Sequence, residues 1–159
     1  LNGVFILTTL LFLLEGLTSF EIKNQPIKSF TYLGIMILPP ITLAWNLWTL
    51  KTIKWKIIGS TLSIIVLMGI IIIGPLKIMF SSSSWKTQTI LYQNGHLPFK
   101  KVEFQMQDVG ALGYNKRTVE VIYLTDLFMI VSPVEKDIDQ RVEWIKVDKE
   151  INELGLKFP

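Results

Sequence analysis

Apolar residues fill three long runs in the first half of this chain and alternate with polar residues in the second. The cleanest run, Trp55 to Leu76, reads WKIIGSTLSIIVLMGIIIIGPL and has no charge beyond Lys56. About 20 apolar residues at a 1.5 Å rise match a hydrocarbon core of about 30 Å. Phe30 to Thr49 and Gly3 to Phe20 share that character, so helices are predicted over about 3–20, 30–49 and 56–77, within a transmembrane domain 1–80. A signal peptide is the rival reading of the first run. It lacks a basic n-region and a small-x-small cleavage site, so a retained helix is expected. The chain opens at Leu1, which leaves the completeness of the N-terminus open.

From Ser81 the pattern changes. Ser81 to Ser84 is a short polar collar. Thr87 to Gln93 reads as a strand, Asn94-Gly95 signals a hairpin turn, and Pro98 delays the return strand. Lys101 to Gln107 alternates, with Val102, Phe104 and Met106 on one face and Lys101, Glu103, Gln105 and Gln107 on the other. Asp108 to Arg117 (DVGALGYNKR) reads as a loop, and Thr118 to Leu124 and Leu127 to Val131 as strands. Glu135, Asp137 and Asp139 suit a helix N-terminus. Trp144, Val147, Ile151 and Leu154 fall on one helical face, with Gly155 as its stop. The expected fold is membrane α plus α+β: three transmembrane helices, then residues 81–159 as an extracytoplasmic antiparallel sheet of three or four strands with a C-terminal amphipathic helix.

Within the apolar runs, Pro39 and Pro40 predict a kink, because each removes a backbone donor and crowds the preceding turn. Gly59 and Ser63 have small-xxx-small spacing, and with Gly69 they predict a helix-packing face.

Charge adds orientation. The formal net charge of +3 lies wholly before Lys77, where five lysines (23, 28, 51, 54 and 56) face Glu15 and Glu21. The soluble half is balanced and has no basic excess for nucleic acid. Lys51, Lys54 and Lys56 make the turn between the second and third runs more basic than the one bearing Lys23 and Lys28. The positive-inside rule puts that turn in the cytoplasm and residues 77–159 outside. Trp45, Trp48 and Trp55 then form the inner aromatic belt, with Phe30, Tyr32, Phe80 and Trp85 at the outer one. For a bacterium the address is the inner membrane, with the C-terminal domain periplasmic.

The absence of cysteine excludes disulfides, thiolate catalysis and Cys-held metal. No nucleophile motif or triad is present, so no catalytic residue, metal or cofactor is assigned. His96 reads as a surface residue, and Glu135, Asp137 and Asp139 lack the rest of a calcium loop. Glu15 is the one acid inside an apolar run, where an unpaired charge costs on the order of 2.5–3.5 kcal/mol. It reads either as an interhelical clamp or as an ion or proton relay. No second ionisable residue in the runs offers Glu15 a relay partner, and Asn46 is polar but sits near the opposite end. In the loop, Asp108, Tyr114, Asn115, Lys116 and Arg117 form a candidate partner-binding set.

A soluble domain of about 80 residues without disulfides has a thin core and is expected to gain stability from the membrane, from another copy or from a partner, which favours a subunit over a free-standing enzyme. The expected function is therefore a non-catalytic accessory or scaffolding subunit of a larger membrane complex. Its partners would be the bilayer, other membrane subunits and a periplasmic protein. The alternative is an ion- or proton-coupled channel, transporter or motor component using Glu15. A ligand sensor ranks below both, because the cytoplasmic turn is very short, and an enzyme ranks last.

Overall fold

The structure, a computed structural model, describes residues 1–134, 138 and 141–156. The chain divides into two compact units, one formed by residues 1–17 and 26–82, the other by 18–25 and 83–159.

The first unit is helical, with α1 (Asn2–Leu17), α2 (Gln25–Thr49, whose first residue belongs to the other unit), α3 (Ile53–Ile73) and the short α4 (Pro75–Phe80). Two helices, α2 and α3, are long and apolar enough to cross a membrane, whereas α1 has only 16 residues. Pro26 lies in the first turn of α2, where a missing N–H costs nothing. The helix runs through Pro39 and Pro40 without interruption. The third helix ends before the expected position 77. Gly74, at φ +92°, stops α3 by bonding its N–H to the Ile70 carbonyl, and Pro75 then starts α4.

Polarity is inverted in this unit. The buried face of α2 runs Lys28, Thr31, Tyr32, Ile35, Pro39, Thr42 and Asn46, a helical spacing rich in polar side chains. Thr8 and Thr9 of α1 and Ser60 and Ser63 of α3 are buried as well. Ile57, Ile64, Met68, Ile71, Ile72 and Trp48 are exposed. One apolar cluster of Tyr32, Ile35 and Ile78, flanked by Phe12, Met36, Val66 and Ile70, joins all four helices.

The second unit is a six-stranded antiparallel sheet. Its strands are β1 (Phe20–Ile22), β2 (Lys86–Asn94), β3 (Lys100–Asp108), β4 (Tyr114–Tyr123), β5 (Phe128–Pro133) and β6 (Trp144–Glu150), in the order β1-β5-β4-β3-β2-β6. Two of these strands replace other expectations. Phe20–Ile22, read as part of the first apolar run and the turn after it, pairs with Phe128–Ile130 and forms one edge. Trp144–Glu150, expected to be an amphipathic helix, is the other edge strand, paired with β2.

The helical spacing of Trp144, Val147, Ile151 and Leu154 does not persist, because pairing as a strand satisfies the open edge of β2 from Thr89 to Asn94. Trp144 packs on Val102 and Ile138. Asp148, at φ +46°, absorbs the register shift opposite Leu91. Among the described residues no helix follows β6. Gly155 closes a turn on Asn152 instead. The acids at 135, 137 and 139, and the helix start they suggest, lie outside the described residues.

The expected loop 108–117 is also shorter. Asp108 ends β3, Tyr114 to Arg117 begin β4, and a single 3₁₀ turn at Gly110–Leu112 links them. Gly113, at φ +89°, allows that reversal. The Asn94-Gly95 turn is longer than two residues, since β3 starts only at Lys100. The Asn94 carboxamide accepts from the N–H groups of His96 and Leu97 and holds the loop.

Candidate functional site

In the helical unit the dominant polar feature is an ion pair. Glu15 Oε1 lies 2.7 Å from Lys28 Nζ, and both side chains are only 4% exposed. Glu15 is near the end of α1 and Lys28 near the start of α2, so the seven-residue link brings them level in an antiparallel hairpin. Lys28 Nζ also lies 5.6 Å from the Tyr32 ring, one turn along α2, and Tyr32 meets Phe12 edge-to-face. The expectation that no second ionisable group accompanies Glu15 is therefore corrected. Lys28, counted as a lysine of the turn, is inside α2 and supplies the cation.

At the other end of the same helices, Asn46 is buried. Its Nδ2 donates to the Gly59 carbonyl at 2.6 Å, and its Oδ1 accepts from Asn2 Nδ2 at 3.2 Å. A Cβ on Gly59 would lie 3.2 Å from Asn46 Nδ2, so the glycine allows this approach. Ser63 is fully buried one turn further along α3. Gly69 differs, because a Cβ there would meet nothing within 4 Å. Closer still is Gly34, where a Cβ would fall 2.9 Å from Thr8 Cγ2 of α1. Pro39 is buried and Pro40 exposed.

In the sheet unit the polar face of β3, which alternation alone assigns to solvent, is buried at Glu103, Gln105 and Gln107. Glu103 is the centre of a network. Tyr123 Oη donates to its carboxylate, with both oxygens at 2.8 Å, while Thr87 Oγ1 and Gln105 Nε2 donate to Oε2 at 2.7 and 3.0 Å. Lys23 Nζ donates to Tyr123 Oη at 3.2 Å and pairs with Glu153 at 3.2 Å. Burial, reinforced by the Glu103 charge, raises the Tyr123 pKa, so the phenol stays protonated and acts as the donor. Glu153 also accepts from the Thr87 N–H, and the Gln88 and Thr87 carbonyls accept N–H groups from residues 151–153. The segment after β6 thus closes over this face.

These side chains line a cleft of about 280 Å³ with Lys23, Lys101, Glu103, Tyr123, Asp126 and Glu153 as its charged and phenolic groups. The central carboxylate, Glu103, already accepts from Tyr123, Thr87 and Gln105. Among the described residues no set of three His, Cys, Asp or Glu is grouped to hold a metal ion.

The five residues of the proposed partner loop fare differently from one another. Asp108 accepts from the Gly110 N–H and shapes the turn. Tyr114 and Lys116 are exposed on β4, and Asn115 donates to Gln107. Arg117 is turned inward: its guanidinium makes a bidentate pair with Glu21 at 2.6 Å for each bond, donates to Gln105 Oε1 and stacks 4.0 Å above Trp85. Sequence reading missed Lys23, Glu103 and Tyr123 as a group, and the only local signal was a glutamate amid strand residues. No protein-family model, curated protein or solved structure matches this chain.

Proposed function

We propose that this protein is a non-catalytic accessory subunit of a membrane complex, with α2 and α3 in the bilayer and the sheet unit presented outside the cytoplasm as its docking module. One observation carries the reading. The helical unit hides Thr, Ser, Asn and a Glu–Lys pair while leaving Ile, Leu and Trp exposed, which suits lipid and not water as its solvent. The exposed Trp45, Trp48 and Trp55 beside Lys51, Lys54 and Lys56 support a cytoplasmic interface at the α2–α3 turn. α1 serves as a third, shorter membrane helix held to α2.

The ion- or proton-coupled alternative loses ground to the internal pairing of Glu15 with Lys28, which favours a clamp. The sheet unit supports docking over catalysis, because its carboxylates at Glu21, Glu103 and Glu153, of which Glu103 is buried, are each engaged by neighbouring cations or donors. Affinity purification of the tagged chain in mild detergent, with mass spectrometry of stoichiometric partners, tests the proposal. A defined set of membrane and outer partners is expected, and a lone monodisperse chain overturns it. The native chain lacks cysteine, so single cysteines read topology without background. In Thr125→Cys an impermeant maleimide should label intact cells, and in Thr52→Cys only permeabilised ones. Equal labelling of both refutes the orientation.

A further inference from the structure

Two adjoining cavities open among the helices. The inner one, about 210 Å³, is lined almost entirely by carbon, including Phe12, Leu62, Ile65, Val66, Gly69 and Ile70. The outer one, about 320 Å³, shares Phe12, Leu13, Ile73 and Ile78 with it and adds Tyr32, Lys77 and Ser81 at its rim. An apolar cavity of about 150 Å³ stays dry and takes up apolar guests, so the larger inner space is not a water site. Its size comes from the sequence. Gly69 on its wall leaves open a position where a side chain would project, as Gly16 does on the wall of the outer cavity, since a Cβ on either meets nothing within 4 Å.

The rim carries one cation. Lys77 lies on α4, which starts afresh after the Gly74 break and is pinned by Ile78, buried against Tyr32 and Ile35. Among the described residues Lys77 has no ion-pair partner. A carbon-lined slot ending at a single lysine is complementary to an acyl chain with an anionic head.

We propose that these cavities hold one anionic phospholipid, an acyl chain entering between α1 and α3 and the phosphate meeting Lys77. The site rests on the bilayer reading of α2 and α3. Bound there, the lipid fills space that the helices leave unpacked, and it makes Lys77 the residue that selects the headgroup.

The test is native mass spectrometry of the full chain, titrated with phosphatidylglycerol or phosphatidylcholine in mild detergent. One phosphatidylglycerol should bind in preference to phosphatidylcholine. Lys77→Gln should weaken that binding about fivefold, the factor equivalent to the roughly 1 kcal/mol of a basic residue beside anionic headgroups. Gly69→Leu projects into the inner cavity and should remove binding of both lipids, with circular dichroism reporting that the helices persist. Equal binding of the two lipids, or binding indifferent to both variants, overturns the site. The bilayer reading is checked separately, by whether the chain resists alkaline extraction from membranes. Resistance without selective lipid binding sinks the site alone, whereas extraction sinks the reading beneath it.

Discussion

Separating Glu15 from Lys28 should be among the most costly single changes in the helical unit. The pair is at contact distance, and neither side chain is more than 4% exposed. Removing one partner strands the other charge away from water, a loss of about 3–5 kcal/mol where it has been measured in buried pairs. At 1.36 kcal/mol per decade that is roughly a hundred- to several-thousandfold in the folding equilibrium. Removing both partners in favour of apolar groups of similar volume is neutral or stabilising by about 1–4 kcal/mol, because desolvation of two ions is avoided together. The informative set is Glu15→Leu, Lys28→Met and their combination, with Glu15→Gln to preserve shape. SDS titration of the full chain in mild detergent, followed by tryptophan fluorescence, gives each stability. The singles should fall by several kcal/mol and the double should recover most of that loss. If Glu15→Gln stays within about 0.5 kcal/mol of the parent, or the double loses the sum of the singles, the pair is not the clamp argued here.

Other consequences can be checked in the same preparation. Tyr123 has a raised pKa in the fold, so its contribution is intact below the ordinary phenol value of about 10 and is lost as pH rises above it. Phenolate absorbance from Tyr123 should appear only as the sheet unfolds, and Tyr123→Phe should remove that step; ionisation within the intact fold refutes it. Gly34→Ala should cost about 1–3 kcal/mol in the SDS titration, because its Cβ meets a Thr8 methyl whose rotamer is held by the Thr8–Val4 hydrogen bond. Gly69→Ala, which meets nothing, should be nearly neutral, and equal effects would sink the packing argument. Arg117→Met should free β1 from the rest of the sheet by removing its bidentate hold on Glu21, read as faster proteolysis in residues 18–25.

The long apolar helices and the four central strands are legible because their patterns are strong and repeated. What escapes the sequence is what depends on non-local partners. Phe20–Ile22 is three residues long, too short for any period, and becomes a strand only because Phe128–Ile130 is there to pair with it. Trp144–Glu150 satisfies a helical spacing by coincidence, and the open edge of β2 decides otherwise. Glu103, Gln105 and Gln107 occupy the expected face of β3, but Thr87 and Tyr123 on Glu103, Arg117 on Gln105 and the Ser83 carbonyl at Gln107 turn solvent positions into a hydrogen-bonded interior. Lys28 was countable from the first, yet its pairing with Glu15 needs the hairpin geometry of α1 and α2. Arg117 misleads for a similar reason, since a basic residue beside two glycines reads as loop until Glu21 arrives from the far end of the chain.

The strand β1 also constrains the membrane arrangement. Residues 18–25 and those after 83 belong to one sheet, so both must lie on the same side of any bilayer the chain crosses. The segment 26–82 between them can then cross only an even number of times. If α3 spans, α2 spans too, and the prolines in mid-helix cannot demote it to a surface element. At 1.5 Å per residue the 25 residues of α2 reach about 37 Å, roughly 7 Å more than a hydrocarbon core needs. Lys28 is only three residues past the start of that helix, on the side of residues 18–25, so if α2 spans a bilayer the Glu15–Lys28 pair falls at the edge of the hydrocarbon and not at its midplane. A charged pair is cheaper there, and a carboxylate at the edge has no path across the membrane to serve. The position of the pair, as much as its closure, therefore argues for a structural clamp.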